Sequence, residues 1–147
     1  MEIQKVKLQM VKDGSAIYTL EKITTPGDIV KLINAHEKYE LATTEKIIII
    51  GVDHKNQVNT YAEIATGTTG YANFSMSELF KIVLLSNSSK FIMVHNHPSG
   101  DATPGKEDLD VTEKVKAAAE IMGLQFLDHI IIGDNDYTSI MSIKEVE

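Results

Sequence analysis

His95 and His97 stand two residues apart in the run His95-Asn96-His97-Pro98-Ser99-Gly100-Asp101, and Asp108 follows a short way downstream. In an extended strand, residues i and i+2 project from the same side, so both imidazoles can be aimed at one point. Pro98, Gly100 and Pro104 end that strand and force a loop. Asp108 falls on a predicted helix, four residues before Thr112 and seven before Val115. Val115 heads an apolar stripe that continues through Ala118, Ala119 and Met122, and that stripe must face the sheet. The Asp108 carboxylate therefore points toward the sheet near the helix start. Two histidines, a carboxylate and one open position describe a catalytic zinc site, whose bound water has its pKa lowered toward about 7. Such a site needs a general base or acid nearby. Glu63, on a predicted strand, is one candidate, and spacing alone does not separate it from Glu78 or Glu107.

The elements that must position these residues can be read from periodicity and caps. Residues 3–12 and 16–20 alternate weakly across Lys12-Asp13-Gly14-Ser15, a predicted hairpin. Thr25-Pro26 opens a helix, with Thr25 as cap and Pro26 at the first helical position. Ile29, Leu32, Ile33 and His36 share one of its faces. Ile47 to Val52 is a continuous, β-branched apolar run, the pattern of a central strand buried on both faces. Asp53-His54-Lys55-Asn56 turns into a second strand over 57–66. Ser75 and Glu78 form a capping box ahead of Leu79, Ile82 and Val83. Residues 90–95 make the strand that ends in His95. Thr103-Pro104 repeats the cap-then-proline start of a helix reaching about Met122, with Gly123 as its stop. Strands over 124–132 and 137–142 flank the turn Gly133-Asp134-Asn135-Asp136. The Tyr71-Ala72-Asn73-Phe74 connection could gate the site or simply join elements. Helices mixed with strands joined by tight turns favour an α+β (mixed α/β) fold over a doubly wound parallel sheet. The expected organisation is a metal-binding domain over 45–147, with a 1–44 extension (hairpin plus helix) packed on it.

Composition narrows the function classes. The 147 residues carry a formal charge of −7, which argues against sequence-independent nucleic-acid binding, since that is driven by clustered Lys and Arg. There is no cysteine, so disulfides, thiolate metal sites and a cysteine nucleophile are excluded. The apolar run from Ile47 to Val52 is far shorter than the about 20 residues needed to span a bilayer. The first seven residues include Glu2, Lys5 and Lys7 and lack the apolar core of a signal peptide. The expectation is a cytoplasmic protein with no membrane partner.

The string from His95 to Asp101, then Asp108, then Leu127-Asp128-His129-Ile130-Ile131-Ile132-Gly133, resembles the RadC-like branch of the JAMM/MPN+ (JAB domain) metalloprotease superfamily. The resemblance covers about residues 45–142. It implies a JAB/MPN-like curved mixed β-sheet flanked by helices. It implies one Zn2+ held by His95, His97 and Asp108. Glu63, upstream of the matching Gly67-Thr68 pair, aligns with the glutamate that activates the metal-bound water. The activity implied is hydrolysis of peptide or isopeptide bonds, often at ubiquitin-like tails, with a peptide or protein tail as partner.

Two departures qualify that reading. The family motif usually has a serine three residues before the aspartate, and here the position is Gly105. That serine helps to stabilise the oxyanion, and losing one such donor costs about 10²–10³ in rate elsewhere. Ser99 or Thr103 is a candidate replacement. Full-length RadC proteins also carry an N-terminal helix-hairpin-helix-like region, which the first 44 residues do not resemble. A catalytically weak or inactive binding module associated with DNA repair or mobile elements is therefore the competing reading, and a metal-dependent nuclease is a third. The letters His-Asn-His do not make an HNH nuclease, whose residues are spread along a ββα-metal motif. The remaining polar residues read structurally. His36 is a core histidine and His54 a solvated turn residue. Asp101 orders its loop, and Glu107 faces solvent in the first helical turn. Asp128 and His129, on opposite faces of one strand, support the site or the fold.

Overall fold

The structure, a computed structural model of the chain, describes residues 1–5, 7, 23–36, 43–67, 71 and 74–142, with the side chains of His36 and Thr66 excepted. The hairpin expected over residues 3–20 lies almost wholly outside the described residues.

Helix α1 (Pro26–His36) starts where the threonine and proline predict. The Asp28 carboxylate accepts the Thr24 and Thr25 N–H groups, each at 2.9 Å, and the Thr25 hydroxyl accepts the Asp28 N–H at 3.3 Å. These are the reciprocal bonds that satisfy a helix start. Ile29, Leu32 and Ile33 bury the face the spacing selects. Strands β1 (Glu45–Val52) and β2 (Val58–Gly67) form an antiparallel pair joined by the Asp53–Asn56 turn, where Asn56 takes a left-handed φ of 64°. Helix α2 (Met76–Leu85) is capped by Ser75, whose hydroxyl accepts the Glu78 N–H. Strand β3 (Lys90–Asn96) pairs antiparallel with β1.

Helix α3 (Lys106–Met122) begins two residues later than the Thr103-Pro104 signal predicts. Asp101 takes the Thr103 N–H at 2.9 Å, which keeps Thr103 in the loop, and Gly105 becomes the N-cap. Gly123 ends the helix in the left-handed conformation, as expected. Strand β4 (Gln125–Ile132) returns parallel to β3, and β5 (Tyr137–Ser139) closes the sheet antiparallel to β4. β5 is shorter than the expected 137–142. The Asp128 carboxylate accepts the Met141 N–H and the Ser139 hydroxyl, drawing the chain out of the ladder.

The result is a mixed five-stranded sheet, ordered β2-β1-β3-β4-β5, with helices on both faces. Alternate residues of the central strands feed two cores. Ile48, Ile50, Ile92, Val94, Ile130 and Ile132 pack under α1. Ile47, Ile49, Phe91 and Met93 pack under α2 and α3, against Leu79, Val83, Val111 and Val115. This two-sided burial explains why β1 reads as an unbroken apolar run. No helix among the described residues is long and apolar enough to cross a membrane.

Candidate metal centre

β3 delivers the first histidine. Phe91, Met93 and His95 share the face turned to α2 and α3, and His95, the last of them, is buried opposite Ile47 of β1. His97 lies just past the strand, where its N–H donates to the Ile132 carbonyl at 2.9 Å. The chain then turns back through Gly100, whose φ of 88° suits glycine. This loop is pressed onto Gly133, where a Cβ would come within 2.4 Å of the Gly100 carbonyl oxygen, so only glycine fits. The His97 Nδ1–H donates to the Asp101 carbonyl at 2.8 Å. A carbonyl only accepts, so that bond keeps a proton on Nδ1 and makes Nε2, which faces Asp108, the nitrogen that would bind a cation.

α3 delivers the carboxylate. Asp108 is buried in the first turn, and its Oδ2 accepts the Gly105 N–H at 2.8 Å. His95 Nδ1 is 3.2 Å from Oδ1, and His97 Nε2 is 3.3 Å from Oδ2. Tyr71 donates its hydroxyl to Oδ1 at 2.5 Å. Burial opposes ionisation of Asp108, but the hydrogen bonds with His95, His97, Tyr71 and Gly105 prevail and hold its carboxyl well below the usual range. The same carboxylate raises the pKa of His97.

A buried relay supports the turn that carries Asp108. The Thr112 hydroxyl donates to the Asp108 backbone carbonyl at 2.6 Å and accepts from His129 Nδ1–H at 2.6 Å. Desolvation by burial pushes His129 down to about 3, so its imidazole is neutral at ordinary pH. Asp128, turned away from that relay, accepts the His129 N–H at 2.8 Å.

The structure differs from the sequence expectation over the glutamate. Glu63 pairs with Ile48 across the β1–β2 ladder and lies 3.8 Å from Lys46 Nζ. Directly paired residues share a face, and Ile48 belongs to the α1 side. Glu63 is therefore on the side of the sheet opposite His95. A register shift between Ile47 and Ile48 makes this parity unreadable from sequence. Glu45 is the carboxylate at the site. It precedes Ile47 by two on β1, and its Oε2 faces His95 Nε2 at 3.6 Å, too long for a hydrogen bond. Both atoms are buried without a hydrogen-bond partner. Asn96 fixes this placement: its Oδ1 accepts the Lys46 N–H at 2.6 Å and its Nδ2 donates to the Thr44 carbonyl at 3.0 Å. The amide thus grips the backbone on either side of Glu45.

Glu45, Tyr71, His95, His97 and Asp108 line a cavity of about 340 Å³, with Thr103, Gly105, Lys106 and Glu107 at its mouth. Ser99 is not among these lining residues; it is exposed, and its hydroxyl accepts the Asp101 N–H at 3.4 Å. Glu78 is exposed on α2 beside Lys81. His54 is exposed in its turn. Ligand atoms of His95, His97 and Asp108 all lie within 4.8 Å of one another. Two imidazoles, one of them with a buried, unpartnered Nε2, and one carboxylate are a donor set that fits a divalent cation such as zinc.

A family model for the RadC-like JAB domain matches residues 23–145. A UPF0758 protein of Staphylococcus haemolyticus is 38% identical over 120 residues, which cover 82% of this chain and 52% of that protein. UPF0758 proteins of Clostridium botulinum and Methanosarcina mazei are 41% and 40% identical over 119 residues, each covering 81% of this chain and 51% of the relative. The chain thus spans about half the length of the curated relatives it matches.

Proposed function

This chain belongs to the RadC-like JAB domain family, and from that premise we propose that it is a zinc-dependent hydrolase of peptide or isopeptide bonds acting in the cytoplasm. The observation that carries this reading is the unpartnered pair of Glu45 Oε2 and His95 Nε2, facing each other beside His97 and Asp108 in one cavity. His95, His97 and Asp108 would hold the ion. Zinc bound there would supply Lewis acidity toward a water and toward the scissile carbonyl. Glu45 Oε2 would take a proton from the attacking water and pass it to the leaving amine. Asn96 would hold Glu45 at the distance this transfer needs. An extended protein tail would add to the edge of β2, which pairs on one side only among the described residues.

Glu45→Gln tests the assignment. It is expected to retain about one zinc per chain by elemental mass spectrometry and to lose about 10²–10⁴ of hydrolytic rate on a peptide library. Glu63→Gln, on the opposite face, is expected to leave both unchanged. A wild-type chain that takes up no zinc after reconstitution would overturn the hydrolase reading. A second reading, a binding module with a weak site, is favoured by the absence of a hydroxyl at Gly105. It predicts no hydrolysis of any peptide and a bound partner that survives Asp108→Ala.

A further inference from the structure

We propose that Tyr71 is a positioning residue of the metal centre, whose hydroxyl both anchors the Asp108 carboxylate and fixes the tautomer of His95. The inference rests on the proposed metal centre, and through it on the hydrolase reading. Tyr71 comes from the connection between β2 and α2. Its ring leans on His95 with centroids 5.1 Å apart and meets the edge of Phe74 at 6.0 Å.

The hydrogen-bond logic has one solution. An ionised carboxylate only accepts, so the Tyr71 O–H donates to Asp108 Oδ1. The phenol has a single proton, so its oxygen can only accept from His95 Nδ1, which lies 3.2 Å away. Asp108 Oδ1, the other neighbour of Nδ1, also only accepts. His95 Nδ1 therefore carries the proton, and Nε2 is left as a lone pair in the cavity. The Asp101 carbonyl likewise keeps a proton on Nδ1 of His97. Both imidazoles thus present the nitrogen that a cation requires, one set by a backbone carbonyl and the other by Tyr71 and Asp108 together.

Tyr71→Phe keeps the ring and removes only the hydroxyl. Against a chromophoric chelator, its Zn2+ affinity is expected to fall about 10–100-fold, the usual effect of losing a partner that orients a ligand. Loaded with Co2+ instead, it is expected to show shifted visible bands, because a mis-set His95 or Asp108 changes the ligand field. Phe74→Leu, which loosens the same ring packing and spares the hydroxyl, is expected to retain wild-type affinity and spectrum. Equal Zn2+ affinity and an identical Co2+ spectrum in Tyr71→Phe would overturn the proposal while the metal centre stands. An equal loss in Phe74→Leu would overturn it too, assigning the effect to packing. A wild-type chain that binds neither metal would remove the centre itself.

Discussion

The two faces of the sheet are built from the same strands and do different work. Under α1, Ile48, Ile50, Ile92, Val94, Ile130 and Ile132 form an apolar core that Ile29, Leu32 and Ile33 close over, and the buried polar residues of that side, Asn96 and Asp128, hydrogen-bond to backbone groups. Under α2 and α3 the same strands are apolar only until their last turns. There β3 ends in His95, β4 carries His129, and α3 presents Asp108 and Thr112. Buried polar groups are tolerated when they are hydrogen-bonded. Thr112, His129 Nδ1 and both oxygens of Asp108 meet that condition. Three atoms do not: His129 Nε2, away from the cavity lining, and Glu45 Oε2 and His95 Nε2, which belong to residues that line it. This sheet keeps one face for stability and leaves unmet polar demand on the other, most of it beside the cavity.

The sharpest way to break this division is to damage the apolar face. Ile33→Ala removes a fully buried side chain and is expected to cost about 2–5 kcal/mol in urea unfolding. Under conditions where that variant remains folded, its zinc content is expected to equal that of the wild type. Loss of zinc from a folded Ile33→Ala chain would show that the two faces are not separable.

What the sequence made legible follows the same division. The apolar face was readable because α1 announces itself by Thr25-Pro26 and a helical stripe, and β1 by its unbroken run of isoleucines. The ligand candidates were readable because His95 and His97 are near neighbours and the spacing from Asp108 to Val115 fixes a helix face. Glu45 was not readable. Its closeness to His95 depends on the β1–β3 register, whereas Glu63 is singled out by the family resemblance alone, and the shift between Ile47 and Ile48 turns it to the other face. Tyr71 was hidden for a related reason, since a residue in a connection has no periodicity to place it. Nor does spacing reveal Asn96, because its partners at Thr44 and Lys46 are some fifty residues away in the chain. The start of α3 departs from the Thr103-Pro104 cap signal because the Asp101 side chain overrides it.

Asn96 is where the two faces meet, and it offers a finer test. By strand parity it belongs with Ile92 and Val94 on the α1 side, yet its amide holds the backbone of Glu45, whose side chain faces the site. Asn96→Ala leaves the Lys46 N–H and the Thr44 carbonyl without that partner. The expected cost is about 1–3 kcal/mol of stability. Hydrolytic rate is expected to fall while zinc affinity changes little, because the Asn96 amide bonds to the strand that carries Glu45 and not to a ligand side chain. A variant that loses zinc and rate in equal proportion would place Asn96 among the supports of the ligands instead.

The smallest effect is expected furthest from the site, at the cap of α1. Hydrogen bonds from the Thr24 and Thr25 backbone, then the Thr24 hydroxyl, lower the Asp28 carboxyl to about 2. A carboxyl with a depressed folded-state pKa contributes stability above its unfolded value of 3.8 and loses it as pH falls through about 2. Asp28 is half-exposed and screened by solvent, so Asp28→Ala is expected to cost only about 0.5 kcal/mol at neutral pH, the low end for helix caps. In paired urea titrations the gap between wild type and variant should narrow below about pH 4 and close near pH 1, because the native carboxyl is then neutral. A gap that persists unchanged in acid would mean that alanine acts on α1 through helix propensity and not through the cap. Zinc binding should be indifferent to this substitution, since α1 reaches the site only through the sheet between them. If it is not, the apolar face does more than hold the sheet together.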